Sequence, residues 1–150
     1  MKIKALLLTL LTISPFASAC ANITSDGVYA RATPPSAATS AMFGHFMNSS
    51  DTDRYIVSAE TEAAGKVELH NMIMEGDLMK MRQVEKIKIP AKGSVELKPG
   101  SLHIMLFNLK KPLTESNKIP VKITFANGET QNLKVQIKKV HSEMKHEHHH

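Results

Sequence analysis

Turn-forming residues interrupt this chain at short intervals, and the segments between them lack any amphipathic helical pattern. The breaks fall at Pro34-Pro35, Asn48-Ser49-Ser50-Asp51, Gly65-Lys66, Glu75-Gly76-Asp77, Lys92-Gly93, Pro99-Gly100 and Asn127-Gly128. Between them, apolar and polar residues alternate with a period of two, the pattern of half-buried strands. Strands are predicted near Gly27–Ala32, Ala41–Asn48, Tyr55–Ala63, Val67–Met74, Leu78–Val84, Ser94–Leu97, Leu102–Leu109, Val121–Phe125 and Thr130–Ile137. Many short strands at regular spacing predict an all-β fold, a β-sandwich or barrel. Asn127-Gly128 is the strongest hairpin signal, because both residues tolerate positive φ. With 150 residues, 42% of them hydrophobic, the chain has room for one ordinary domain with its own core.

The first residues read as an export signal. Lys2 and Lys4 precede an apolar run from Ala5 to Ile13, Ser14-Pro15 ends it, and Ala17-Ser18-Ala19 follows. This order is that of a secretory signal peptide, and the run is too short for a permanent membrane helix. Cleavage is expected after Ala19 or Ala21, giving a signal over residues 1–21 and a mature domain over 22–140. Ser18-Ala19-Cys20 also resembles the end of a bacterial lipobox, with Ala17 where Leu is usual; lipid anchoring at Cys20 is the secondary reading. Export points to the periplasm, an oxidising compartment. Cys20 is the single cysteine, which excludes an internal disulfide and every multi-cysteine metal site. Without Lys2 and Lys4, 17 basic side chains face 14 acidic ones, a modest and dispersed +3. With no Trp and only seven Tyr and Phe, nucleic-acid binding is not expected.

Strand parity then separates core from site. In Val67–Met74, Val67, Leu69 and Ile73 form an apolar set, so His70, Met72 and Met74 share the opposite face with Glu68. In Leu102–Leu109, Leu102, Ile104 and Leu106 are apolar, which puts His103 and Met105 together on the other side. Met79 and Met81 share one face of Leu78–Val84. A lone Met is usually packing and a lone His usually a hydrogen-bonded surface residue. The repeated His-x-Met pairing opposite the core is what argues for ligands. Imidazole with thioether suits soft Cu(I); two His and two Met without a carboxylate disfavour magnesium, calcium and manganese, and zinc less decisively.

The spacing resembles the periplasmic copper chaperone family PCu(A)C. Ten residues separate His70 from Met81, twenty-one separate Met81 from His103, and Met105 completes His-x-Met. Ala30-Arg31-Ala32-Thr33-Pro34-Pro35, Lys66-Val67-Glu68-Leu69-His70 and Leu109-Lys110-Lys111-Pro112-Leu113 also look like the family, over about residues 27–126. The resemblance implies a cupredoxin-like Greek-key β-sandwich. It implies one Cu(I) held by His70, Met81, His103 and Met105 in a shallow, partly exposed site. It further implies delivery toward the Cu(A) centre of cytochrome c oxidase, with a Sco-type thiol protein and the oxidase subunit carrying Cu(A) as partners. The protein is expected to be a monomeric carrier and not an enzyme. Met72, Met74 and Met79 are read as a soft rim or as packing at the site edge.

The C-terminal tail, residues 141–150, is rich in charge and metal-binding groups and is expected to be disordered without metal. His141, Met144, His146, His148, His149 and His150 are candidate secondary ligands for Cu(II), which favours imidazole. Met42, His45 and Met47 are expected to be structural. Blue-copper electron transfer needs a Cys ligand that the domain lacks, and a copper monooxygenase needs an N-terminal His that neither cleavage supplies. The alternatives are a periplasmic copper-buffering or resistance protein without a dedicated acceptor, and a non-metal adhesion-type sandwich.

Overall fold

A computed structural model of the protein describes residues 22–139. The export signal, Cys20 and the tail from His141 to His150 lie outside the described residues. Ten strands and no helix are found among the described residues: β1 (Ile23–Arg31), β2 (Thr39–Asn48), β3 (Arg54–Glu60), β4 (Ala64–Glu75), β5 (Leu78–Gln83), β6 (Ile87–Ile89), β7 (Ser94–Leu97), β8 (His103–Leu109), β9 (Lys118–Phe125) and β10 (Thr130–Lys138). The all-β expectation holds, and each predicted strand has its counterpart. β6 was not predicted, because Ile87-Lys88-Ile89 is too short to display a period.

The strands pair in the order β5-β4-β8-β2-β1-β10-β9-β3-β6, with β7 also on β2. β3 comes close to β4, and β6 to β2 and β7, without hydrogen-bonded pairing, so the sheet folds over on itself around one core. Met42, Phe46, Ile56, Ile87, Ile89, Leu97, Ile104, Leu106 and Ile123 are fully buried in it. Burying each such side chain contributes about 1.5–3 kcal/mol.

Two local devices aim the strands around the site. The first is a bulge where Gly27 and Val28 of β1 face Gly44 of β2. Gly27 takes φ +59°, and a Cβ on Gly44 would lie 2.7 Å from the Cα of Val28. Only glycine permits that approach. Around Gly44, β2 changes partner: Thr39–Met42 pair with β8 and Gly44–Met47 with β7. The second is the turn before β8, where the Ser101 N–H donates to the Lys98 carbonyl at 3.1 Å and Gly100 has φ +81°. Pro99-Gly100 is the sequence that a type II turn demands.

The Asn127-Gly128 hairpin forms, with a different turn from the one predicted. Phe125 and Glu129 close a three-residue loop in which Gly128 has positive φ and Asn127 does not. Asn127 instead accepts the Glu129 N–H through its side-chain oxygen, at 3.1 Å. Of the three residues read as structural, only Met42 is core, 1% exposed. His45 and Met47 are solvent-exposed on the outer face of β2. Met42 and Phe46 face inward, so the odd-numbered residues share the other face, where Phe43 is buried and His45 and Met47 are not.

Candidate metal centre

His70 and His103 come from strands 33 residues apart in sequence, yet antiparallel pairing of β4 with β8 sets them directly opposite each other. Their ring centroids are 5.8 Å apart. The next pair along the same face is Glu68 with Met105. On the other side of β4, β5 pairs Met81 with Met72, and Met79 with Met74. One face of β5-β4-β8 thus carries all four residues of the spaced motif and the three rim methionines.

The expectation of a shallow, partly exposed site holds for only half of this set. His70 and His103 are 6% and 5% exposed, whereas Met81 is 46% exposed and Met105 half-buried. The imidazoles are enclosed by rings: Phe107 lies 5.8 Å from His70 and Phe43 lies 6.2 Å from His103, centroid to centroid. The Lys66 ammonium and the Arg31 guanidinium lie over the rings of Phe107 and Phe43, 5.5 and 5.4 Å from their centroids.

Hydrogen bonds decide which nitrogen of each ring is free. His103 Nδ1 is 2.8 Å from the Ser101 carbonyl, which can only accept. Nδ1 of the neutral ring therefore carries the proton, and Nε2 keeps its lone pair. That Nε2 faces the Met81 sulfur at 3.2 Å. Two electron-pair donors, aimed at each other from different strands, are arranged as ligands are. His70 Nε2 lies 2.7 Å from a Glu68 oxygen. Hydrogen bonds from the Lys66 ammonium and from His70 hold the Glu68 carboxyl below its ordinary pKa, so it is a carboxylate and accepts. His70 then donates from Nε2, and in the neutral ring its Nδ1 keeps a lone pair. This Nδ1 is buried and has no partner. A buried polar atom with nothing to bond is costly unless something fills the position.

Sequence reasoning missed the residues that orient these rings. Glu68 shares parity with His70 but was not given a role, and the donor set was read as free of carboxylates. The structure puts that carboxylate beside the imidazole, as a hydrogen-bond partner. The signal was available as Glu-x-His in a strand. Ser101 acts through its backbone, which no side-chain motif reveals; Pro99-Gly100 was the readable trace of it. Phe43 and Phe107 enter only through tertiary packing. A shallow groove of about 690 Å³ exists elsewhere, bordered by Glu60, Lys110, Val121 and Leu133, and it holds neither imidazole nor thioether.

An open-edged β-sandwich of cupredoxin type, with imidazoles and thioethers gathered at one edge, defines the class. Residues 23–137 match the family described as "Putative lipoprotein LpqE-like", and the chain belongs to that family. "Putative lipoprotein Lxx21020" from Leifsonia xyli subsp. xyli (strain CTCB07) is 33% identical over 118 residues, covering 76% of this chain and 71% of its own. The solution structure of CuI-DR1885 from Deinococcus radiodurans is similar at a TM-score of 0.63 and 30% identity, covering 75% of this chain and 76% of that one. The copper-bound PCuAC domain from PmoF2 shares the fold at a TM-score of 0.69 and 14% identity, over 79% of this chain and 94% of that one. The resemblance to PCu(A)C domains read from the motif is matched by the fold.

Proposed function

We propose that this protein is an exported copper chaperone that holds one Cu(I) through His70, Met81, His103 and Met105. The observation that carries the reading is the 3.2 Å approach of His103 Nε2 to the Met81 sulfur, with Nδ1 committed to Ser101. The unpartnered Nδ1 of His70 supports it. So do the family and the copper-bound relatives. Two imidazoles and two thioethers make a soft set suited to Cu(I). Thioethers also survive an oxidising compartment where thiols are lost to disulfides.

A carrier must protect the ion and then release it. The imidazoles are fixed by burial and by their hydrogen bonds. Met81 stands on an exposed edge strand and is free to yield first. Release is then ligand exchange through a mixed intermediate: an incoming donor replaces the Met81 sulfur, Met105 and the imidazoles follow, and no electron moves. Delivery toward the Cu(A) centre of cytochrome c oxidase, aided by a Sco-type thiol protein, is the destination we assign. The lipoprotein name of the family supports export. The tail from His141 to His150 would serve as a Cu(II) capture segment.

Chelator-competition titration with Cu(I) tests the centre. His103→Ala with Met105→Ala should abolish tight binding while the domain stays folded; an unchanged affinity rejects the assignment. X-ray absorption of the Cu(I) form should show mixed nitrogen and sulfur scattering. Cu(I) transfer to an apo Cu(A) domain, alone or with a thiol partner, distinguishes delivery from buffering.

A further inference from the structure

The β4–β5 hairpin carries four methionines, and all of them lie on one face. Met72 opposes Met81 and Met74 opposes Met79, so two thioether pairs stand in consecutive steps. They continue the His70–His103 pair outward to the turn at Gly76, where φ is +63°. The last residue of β4 that β8 reaches is His70, so residues 71–82 continue as a two-stranded arm with β5 at the sheet edge.

This arm is exposed in an unusual way. Six large hydrophobic side chains are exposed among the described residues, and four of them are here: Met74 (61%), Leu78 (64%), Met79 (49%) and Met81 (46%). A patch made for apolar contact would accept Leu or Ile on either face. Here Ile73 and Leu78 fall on the face away from the imidazoles, with Lys80 and Arg82, and no Met joins them. The sorting follows sulfur, not hydrophobicity. Opposed residues in an antiparallel pair have Cβ atoms about 4.5–5.5 Å apart, with the next pair on that face about 7 Å along. Flexible, unbranched thioethers can converge over such distances. A two-stranded ribbon is also marginally stable by itself, so the arm can adjust to an ion.

We propose that Met72, Met74 and Met79 form a second Cu(I) site on this arm, made of thioether sulfur alone and weaker than the imidazole centre. It is an outer station at which the ion is held before entering, or after leaving, that centre. Its donors are neutral and soft, so it takes Cu(I) and rejects Cu(II) and zinc. The choice of ion rests on the copper reading of the neighbouring centre.

The test uses the full chain with ¹³C-labelled methionine methyl groups, titrated anaerobically with Cu(I) and followed by NMR. The first equivalent should shift the Met81 and Met105 methyls, and the second those of Met72, Met74 and Met79. Met74→Leu with Met79→Leu keeps the apolar bulk; it should remove the second set of shifts and leave the first equivalent bound as before. If Met74 and Met79 stay unmoved at two equivalents, or only Met144 moves, the second site is rejected while the first stands. If the double variant binds the second equivalent unchanged, the proposal also falls. Silent Met81 and Met105 methyls during the first equivalent reject the parent reading instead.

Discussion

β8 and β5 contribute to the same cluster but are opposite kinds of strand. β8 lies between β4 and β2, and its His103, Ile104 and Leu106 are buried. β5 is an edge strand of the sheet, and each of its six residues is exposed. His103 is therefore held by packing, by Phe43 and by Ser101, whereas Met81 is held by its own strand and one neighbour. A cluster whose nitrogen donors are rigid and whose exposed sulfur donor is loose can bind without preparation and release without unfolding. For the proposed carrier, the difference puts reversibility at the sheet edge, where moving a side chain disturbs no core.

That contrast can be broken by substitution. The largest effect is expected on the rigid side. His103→Ala should weaken Cu(I) by more than the roughly 100-fold that losing a supporting partner costs a metal site. Chelator competition measures it, and a loss no greater than that of Met81→Leu would erase the distinction. Next comes Glu68→Ala, which frees His70 to change tautomer; affinity should fall by about 10–100-fold. Glu68→Gln should recover part of it, because an amide oxygen still accepts from His70 Nε2. ¹⁵N shifts of the His70 ring would show the tautomer directly.

On the loose side, Met81→Leu should cost about tenfold in affinity, ~1.4 kcal/mol, with the melting temperature unchanged. Dissociation measured by chelator capture should be correspondingly faster. The smallest effect is on stability against acid. Glu68, Asp53 and Glu129 all have lowered pKa values: Glu68 through Lys66 and His70, Asp53 through the Ala91 N–H and Lys88, and Glu129 through Arg54 and Asn127. A carboxyl lowered by folding stabilises the native state above its ordinary pKa and loses that contribution as pH falls through the lower folded value. Ordinary values are 3.8 for Asp and 4.5 for Glu. The melting temperature should be flat above about pH 5 and decline below it, with a shallow slope because two of the three carboxyls, Asp53 and Glu129, are exposed and solvent-screened. A decline beginning near neutrality would locate the acid sensitivity elsewhere.

Much of the fold was legible because alternation is a local property. Val67 and Leu69 against His70 and Met72, or Ile104 and Leu106 against His103 and Met105, assign faces from neighbours two residues away. Alternation did not reach from face to exposure, and the partly exposed site came from the family resemblance. His70 and His103 lie on the face away from the core and are nonetheless buried, because Phe43 and Phe107 cover them from other strands. His45 and Met47 share the outer face of β2 and stay exposed among the described residues. Coverage depends on which strands are neighbours, and a periodic pattern is silent about that.

The amino-acid sequence by itself determined the all-β class, the two faces of each strand and the soft donor chemistry, since each follows from residue type and a two-residue repeat. Tertiary structure alone decided that His70 meets His103, that Glu68 and the Ser101 carbonyl choose the free nitrogens, and that Met81 stands at an edge. The reason is that register between strands distant in sequence is set by hydrogen-bond pairing and by packing of the whole core. Side-chain alternation alone does not specify which strands become neighbours.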